Sequence, residues 1–330
     1  MADQGDNNFI RYVYRGEVDE FIPEATHIIV HKDVTVILRR AFEFNRNIIE
    51  VICHENVERI EGMAFSFCRN LRRVIMPGVK EVETRAFIDC DALTDVDCDM
   101  LHLIGPDSFM DCKSLSSMNL PSARIVGGFA FHGCIALTDV KFSAKLERIK
   151  GGAFLDCPSL QRITIPLKDG VITDDNIFAA CVKLTHVDLV EGELHEAIAA
   201  LQLEDWRHDI RLEIDSINRI LPNTPSGNGW NWDRMDYGND VGEKAQAIRT
   251  WLRSVLGKIV HYRAGHERLL NEEVEPTLQV VLPQDLVRNN VVSFLALPLQ
   301  SFEDNHDVPL AYSEGEDSGM EVDSSDDEEV

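Results

Sequence analysis

From Val34 to Val190 the apolar positions of this chain recur every 22 to 24 residues. Phe42, Phe65, Phe87, Phe109, Phe131, Phe154 and Phe178 mark the repeat, in steps of 23, 22, 22, 22, 23 and 24. Each is preceded by a small or apolar residue: Ala41, Ala64, Ala86, Ser108, Ala130, Ala153 or Ile177. Three residues after it stands Asn45 in the first copy, then Cys68, Cys90, Cys112, Cys134, Cys157 and Cys181. Six after comes Ile48, Leu71, Leu93, Leu115, Leu137, Leu160 or Leu184. Nine and eleven after come apolar pairs such as Val51 with Cys53, Val74 with Met76 and Val140 with Phe142. Five before lies Ile37, Ile60, Val82, Ile104, Val126 or Ile149; the last copy slips, with Ile172 six before.

The pattern has a physical reading. Apolar residues two apart point to one face of a short strand. Parallel strands from successive copies then stack sideways at roughly 5 Å per copy. The Phe and the earlier Ile come from the other side of each coil and fill the space between. One copy cannot bury these residues alone, whereas a stack can. Each buried Phe contributes roughly 2–3 kcal/mol.

The segments Ile60-Glu-Gly-Met-Ala-Phe-Ser-Phe-Cys68 and Leu71-Arg-Arg-Val-Ile-Met-Pro77 resemble the signature of the BspA-type, or treponemal, leucine-rich repeat. So do Ile149-Lys-Gly-Gly-Ala-Phe-Leu-Asp-Cys157 and Leu160-Gln-Arg-Ile-Thr-Ile-Pro166. Outside the repeats, Tyr12-Val-Tyr14, Ile22-Pro23, Thr26-His27, Trp206-Arg-His-Asp-Ile210 and His261-Tyr-Arg-Ala-Gly-His266 are similar to versions of that family abundant in diatoms. The resemblance implies a solenoid fold and brings no activity with it.

The expected fold class is α+β: a leucine-rich-repeat solenoid of about seven copies, a small α-helical region and a disordered acidic tail. Residues 1–33 read as an N-terminal strand cap, with alternating runs at Phe9–Tyr14 and His27–His31. The solenoid covers 34–190. In 191–301 the apolar spacing becomes helical. Leu194 to Leu221 forms one such run, and Gly242 to Ala264 another with Ile248, Trp251, Leu252, Val255, Leu256, Ile259 and Tyr262 on one face. A further short helix is expected around Pro283–Ala296. Residues 302–330 are acidic and poor in aromatics, which reads as disorder.

Charge narrows the range of partners. The net charge is −25. Nine acidic residues and no base follow Ser313, but −16 remains without them. Such a chain does not displace counterions from nucleic acid, nor is it drawn to an anionic membrane surface. No apolar run is long enough to span a bilayer, and the start has neither the basic nor the apolar stretch of a leader. The eight Cys show no C-x-x-C spacing, and there is no N-x-S/T sequon. These features lead to the expectation of a cytoplasmic or nuclear, non-secreted protein, monomeric, without cofactor or metal.

Candidate chemistry is sparse. The repeated Cys reads as a buried side chain bonding neighbouring backbone; metal or redox chemistry is the alternative. Asp95, Asp97 and Asp99 alternate on one expected strand, all but Asp99 facing outward, as a solvated face or as a site for a cation or a basic partner. His261 and His266 are five apart and do not share a helix face. No H-E-x-x-H, G-x-S-x-G or phosphate-loop motif occurs, so no catalytic residue is expected. Positions eight and ten after each Phe should face the concave surface, and they vary while the core repeats. The expected function is protein binding there, through Ile52, Arg72, Arg73, Ile75, Asp95, Asp97, Asp139 and Lys141. Trp230, Trp232 and Tyr237 sit in a loop and read as an interface or as packing onto neighbouring helices. Ser318, Ser324 and Ser325 precede acids and suit an acid-directed kinase; a plain solubilising tail is the alternative. An enzyme in the helical region and a self-associating structural protein are the competing readings.

Overall fold

The computed structural model describes residues 9–17, 24–190, 203–229 and 240–269. The loop aromatics Trp230, Trp232 and Tyr237, the segment before Leu203, the Pro283–Ala296 helix and the acidic tail with its serines lie outside them. The described residues all fall within one unit, Met1–Leu297.

Each coil of the repeat but the last contributes two short strands. The strand that follows the Leu or Ile six residues after Phe belongs to a broad parallel ladder. Its first part runs β1 (Arg11–Tyr14), β2 (His27–Val30), β4 (Glu50–Ile52), β6 (Arg73–Ile75) and β8 (Asp95–Asp97). Its second part runs β10 (Ser117–Leu120), β12 (Asp139–Phe142), β14 (Arg162–Ile165) and β15 (His186–Leu189). On another side, the two-residue strands β3 (Val36–Ile37), β5 (Arg59–Ile60), β7 (Glu81–Val82), β9 (Leu103–Ile104), β11 (Ile125–Val126) and β13 (Arg148–Ile149) form one unbroken ladder. The pairings are parallel and in step.

The turn that carries the Phe makes a third ladder. The N–H of Phe42 donates to the carbonyl of Ala64, Phe65 to Ala86, Phe87 to Ser108 and Phe109 to Ala130, each at 2.8 Å. To aim these groups, the residues two before and two after the Phe take left-handed backbone, as at Met63 (φ 62°) and Phe67 (φ 59°). That conformation costs an L-residue about 1–2 kcal/mol. It is offset by N–H bonds from Met63 to Thr84 and from Phe67 to Ile88. Coils approach so closely at Gly105 and Gly127 that a Cβ on Gly127 would lie 2.6 Å from the Gly105 carbonyl carbon.

The core is made of columns. The seven Phe rings stack at 5.0–5.8 Å between centroids with planes within 9° of parallel, and all are buried. The Cys column has the structural role expected of it. Cys68, Cys90, Cys112, Cys134, Cys157 and Cys181 each donate Sγ–H to the Phe carbonyl of the preceding coil, at 3.0–3.3 Å. Asn45 has no earlier Phe to reach. Its Oδ1 instead accepts from the N–H groups of Asn47 and Ile48. The slip in the last repeat is absorbed by a 3-10 turn, Asp175–Phe178, and Ile172 still bridges to Ile149.

Both ends are closed. Tyr14 sets its ring edge against Phe42 at 5.2 Å, and its hydroxyl accepts from the Leu38 N–H. At the other end stand α1 (Glu204–Ile214), α2 (Ser216–Ile220) and α3 (Lys244–Leu269). Asn218 accepts the Val187 N–H, buried Lys244 donates to the Leu184 carbonyl, and Ala180 N–H donates to the Ser226 carbonyl. The expected α3 face is observed: Ile248, Trp251, Leu252, Val255 and Ile259 are buried.

One seam interrupts the broad ladder, because β8 and β10 are not paired. Val96, which faces inward there, is only half-buried, whereas its equivalents Val51, Val74 and Val140 are buried completely.

The columns make two substitutions informative. Ser108 takes the place that Ala holds in five other copies, and its buried hydroxyl has no partner. Ser108→Ala should therefore raise the unfolding free energy by about 1–2 kcal/mol in denaturant titration; a loss would show that the hydroxyl is satisfied. Phe109→Ala removes a ring stacked on both sides and should cost about 3–5 kcal/mol in the same titration.

Candidate binding surface

Neighbouring side chains on the broad-ladder strands alternate between core and surface. Ten residues after each Phe, the outward side chains form a column by register. Val13 lies beside Ile29, Ile29 beside Ile52, Ile52 beside Ile75 and Ile75 beside Asp97. Its first four members are apolar. Val13 is 41% exposed, and Ile29, Ile52 and Ile75 are half-buried by one another. Phe9, 57% exposed, packs its ring on His27 at 4.7 Å. Beyond the seam the same column reads Asn119, Lys141, Thr164 and Asp188.

In the parallel column, eight residues after each Phe, neighbouring polar side chains pair with one another. His27 lies 3.8 Å from Glu50, and Arg73 lies 3.6 Å from Glu50 and 2.9 Å from Asp95. Arg162 pairs with Asp188 further along. Partly exposed pairs of this kind contribute little stability. They do hold the charged side chains flat against the strands.

The expected residues therefore divide. Ile52 and Ile75 adjoin as the sequence implies, but as half of a longer column. Val13 and Ile29 are missing from the expected surface because their strands read as a cap; their alternation with Tyr12, Tyr14, Ile28 and Val30 carries the signal. Arg73 is held between two carboxylates. Arg72 leaves the apolar column and, with Arg46 and Glu24, lines a groove of about 450 Å³ where the strands begin. Asp95 is taken up by Arg73, while Asp97 is exposed with no ion pair among the described residues. Asp139 and Lys141 lie across the seam, on the polar half.

Elsewhere titratable groups cluster without forming a reaction centre. Burial raises the carboxyl pKa of Asp89 and of Asp111, on the turns opposite the strand face. No group of three or more His, Cys, Asp or Glu residues suited to a metal occurs among the described residues. All eight thiols are free and buried. Burial pushes those of Cys53, Cys68, Cys98 and Cys181 up to about 12. A protonated donor is what the column's hydrogen bonds require. It also makes these thiols poor nucleophiles.

The family model for the BspA type leucine-rich repeat region matches residues 21–94 and 102–199 in six copies, just over half of the chain. The chain belongs to the BspA-type leucine-rich repeat family. The matched stretches cover the coils that carry the Phe and Cys columns. Among solved structures it is similar to the T. pallidum leucine-rich repeat protein TpLRR, at 21% identity over 55% of this chain and 86% of that one, with a TM-score of 0.44. It is also similar to a leucine-rich cell surface protein from Faecalibacterium prausnitzii, at 16% identity over 56% and 84%, with a TM-score of 0.23. A leucine-rich repeat protein from Bacteroides ovatus matches at 19% identity over 56% and 70%, with a TM-score of 0.23. These overlays are loose, and the family assignment rests on the repeat match. No curated protein matches the chain.

The raised thiol pKa values fix the sign of a pH effect. An unfolded thiol ionises near 9, so the native state keeps protons that the unfolded chain loses. Stability should be intact below about pH 9 and fall steadily from there towards 12, by about 1.4 kcal/mol per pH unit for each such thiol. Cys53→Val with Cys98→Val should flatten that fall in a denaturant series; an unchanged slope would refute the assignment.

Proposed function

We propose that this BspA-type repeat protein is an intracellular binding module whose ligand is another protein, and that its strand face is the contact surface. The observation that carries this reading is the column Val13, Ile29, Ile52 and Ile75. Four β-branched side chains lie in register on a surface where the core needs none of them. Contiguous exposed apolar surface with a polar rim marks a site of association. Leucine-rich repeat proteins are in general protein-interaction modules, which agrees. Eight unpaired thiols fit a reducing compartment. Binding without catalysis is our reading of a surface where Glu50, Arg73 and Asp95 pair with one another beside the apolar column.

The test is affinity purification with the full chain, quantified against two variants. Ile52→Glu with Ile75→Glu places charge in the column, and Thr164→Glu places it at the equivalent position of the polar half. Partners should be recovered at least tenfold less with the first variant and unchanged with the second. Equal recovery with all three proteins would sink the proposal. Both variants should melt within a few degrees of the wild type, since all three positions face outward.

A further inference from the structure

We infer that the strand face takes an amphipathic α-helix lying across β1, β2, β4 and β6, with its basic end over Asp97 and Asp99. This rests on the reading of the strand face as the binding surface and adds the conformation, direction and charge of the ligand.

Spacing decides the conformation. The apolar column runs perpendicular to the strands, so its side chains repeat at the interstrand distance of about 4.8 Å. Four of them span roughly 14 Å. A helix laid along the column repeats an apolar row every turn, about 5.4 Å. Over the same three steps it gains about 16 Å and stays within about 2 Å of register. An extended peptide in the same direction repeats same-side residues at about 6.7 Å. It would drift by more than one whole row over that distance. Positions spaced three and four apart on a helix, covering i to i+11, therefore match the column, whereas alternating positions on a strand do not.

Charge decides the direction. Along the apolar column Arg73 is paired with Glu50 and Asp95, and the His27 ring lies against Glu50. They form a rim with little left to offer a ligand. The two ends differ. Arg11 and Arg15 stand exposed beside Val13. Asp97 and Asp99 stand exposed at the other end, on the strand that meets the seam and just beyond it, and neither has an ion pair among the described residues. A helix with acidic residues at one end and Lys or Arg at the other satisfies both. The contact stops at the seam, because the column continues there as Asn119, Lys141 and Thr164.

The probe is a randomised peptide library of about 16 residues, long enough for a helix of about 24 Å, displayed on phage and selected on the full chain. Recovered peptides should show apolar residues spaced three and four apart with a cationic end. They should gain helical circular dichroism on binding and weaken at least tenfold with a central proline. Ile52→Glu with Ile75→Glu should abolish binding. Asp97→Lys with Asp99→Lys, a milder surface change, should weaken peptides with a cationic end at least tenfold. Binders with a spacing of two, or binders tolerant of the proline, overturn the helix and leave the strand face standing as the surface. Binders indifferent to both variants overturn the surface as well. A selection that yields no binder overturns the inference.

Discussion

No coil of this protein is complete by itself. A Phe at the tip of a turn has its ring faces covered only by the Phe of the coils before and after. The Cys beside it finds its acceptor on the preceding coil, and the Phe N–H finds one on the following coil. Backbone at left-handed φ is tolerated for the same reason, since it points amide groups at the neighbour. Each of these buried groups is thus satisfied across the boundary between coils. Stability becomes a sum of interfaces rather than of coils, and the repeat length must hold at 22 to 24 residues, or every column falls out of register.

Two consequences run through the rest of the molecule. First, the ends need substitutes for the missing coils. Tyr14 supplies an aromatic edge and a hydroxyl acceptor at one end. At the other, Lys244 and Asn218 answer a carbonyl and an N–H that a further coil would have answered. Burial holds the Lys244 pKa below its ordinary value, in keeping with a side chain spent on structure. Second, the inward columns must stay almost entirely apolar, so charged variation falls on outward positions. On the strand face those positions divide into a mostly self-paired charge column and an apolar column that ends at the seam. The apolar column does nothing for the solenoid, which is why it bears on function.

Much of this is legible in the residues. The Phe and Cys columns, the strands nine to eleven residues after Phe, the helical face of Ile248 to Ile259 and the core role of the thiols all follow from spacing. What escapes is lateral. Val13 and Ile29 belong to β1 and β2, whose sequences do not carry the repeat, and only their pairing with β4 places them beside Ile52. Arg73 reads as an available cation until Glu50 and Asp95 are seen on either side. The seam between β8 and β10 does not follow from spacing, because both coils keep the 22-residue period.

The period, the buried columns and the alternation of each strand are already set in the residues, because these are local properties of short stretches repeated along the chain. The residues also settle the family, through motifs that the repeat preserves. Which outward residues become neighbours, where the ladder opens and what closes the two ends emerge only when the coils are stacked. Those are relations between residues 16 positions or more apart, fixed by the stacking of coils rather than by any residue's own preference.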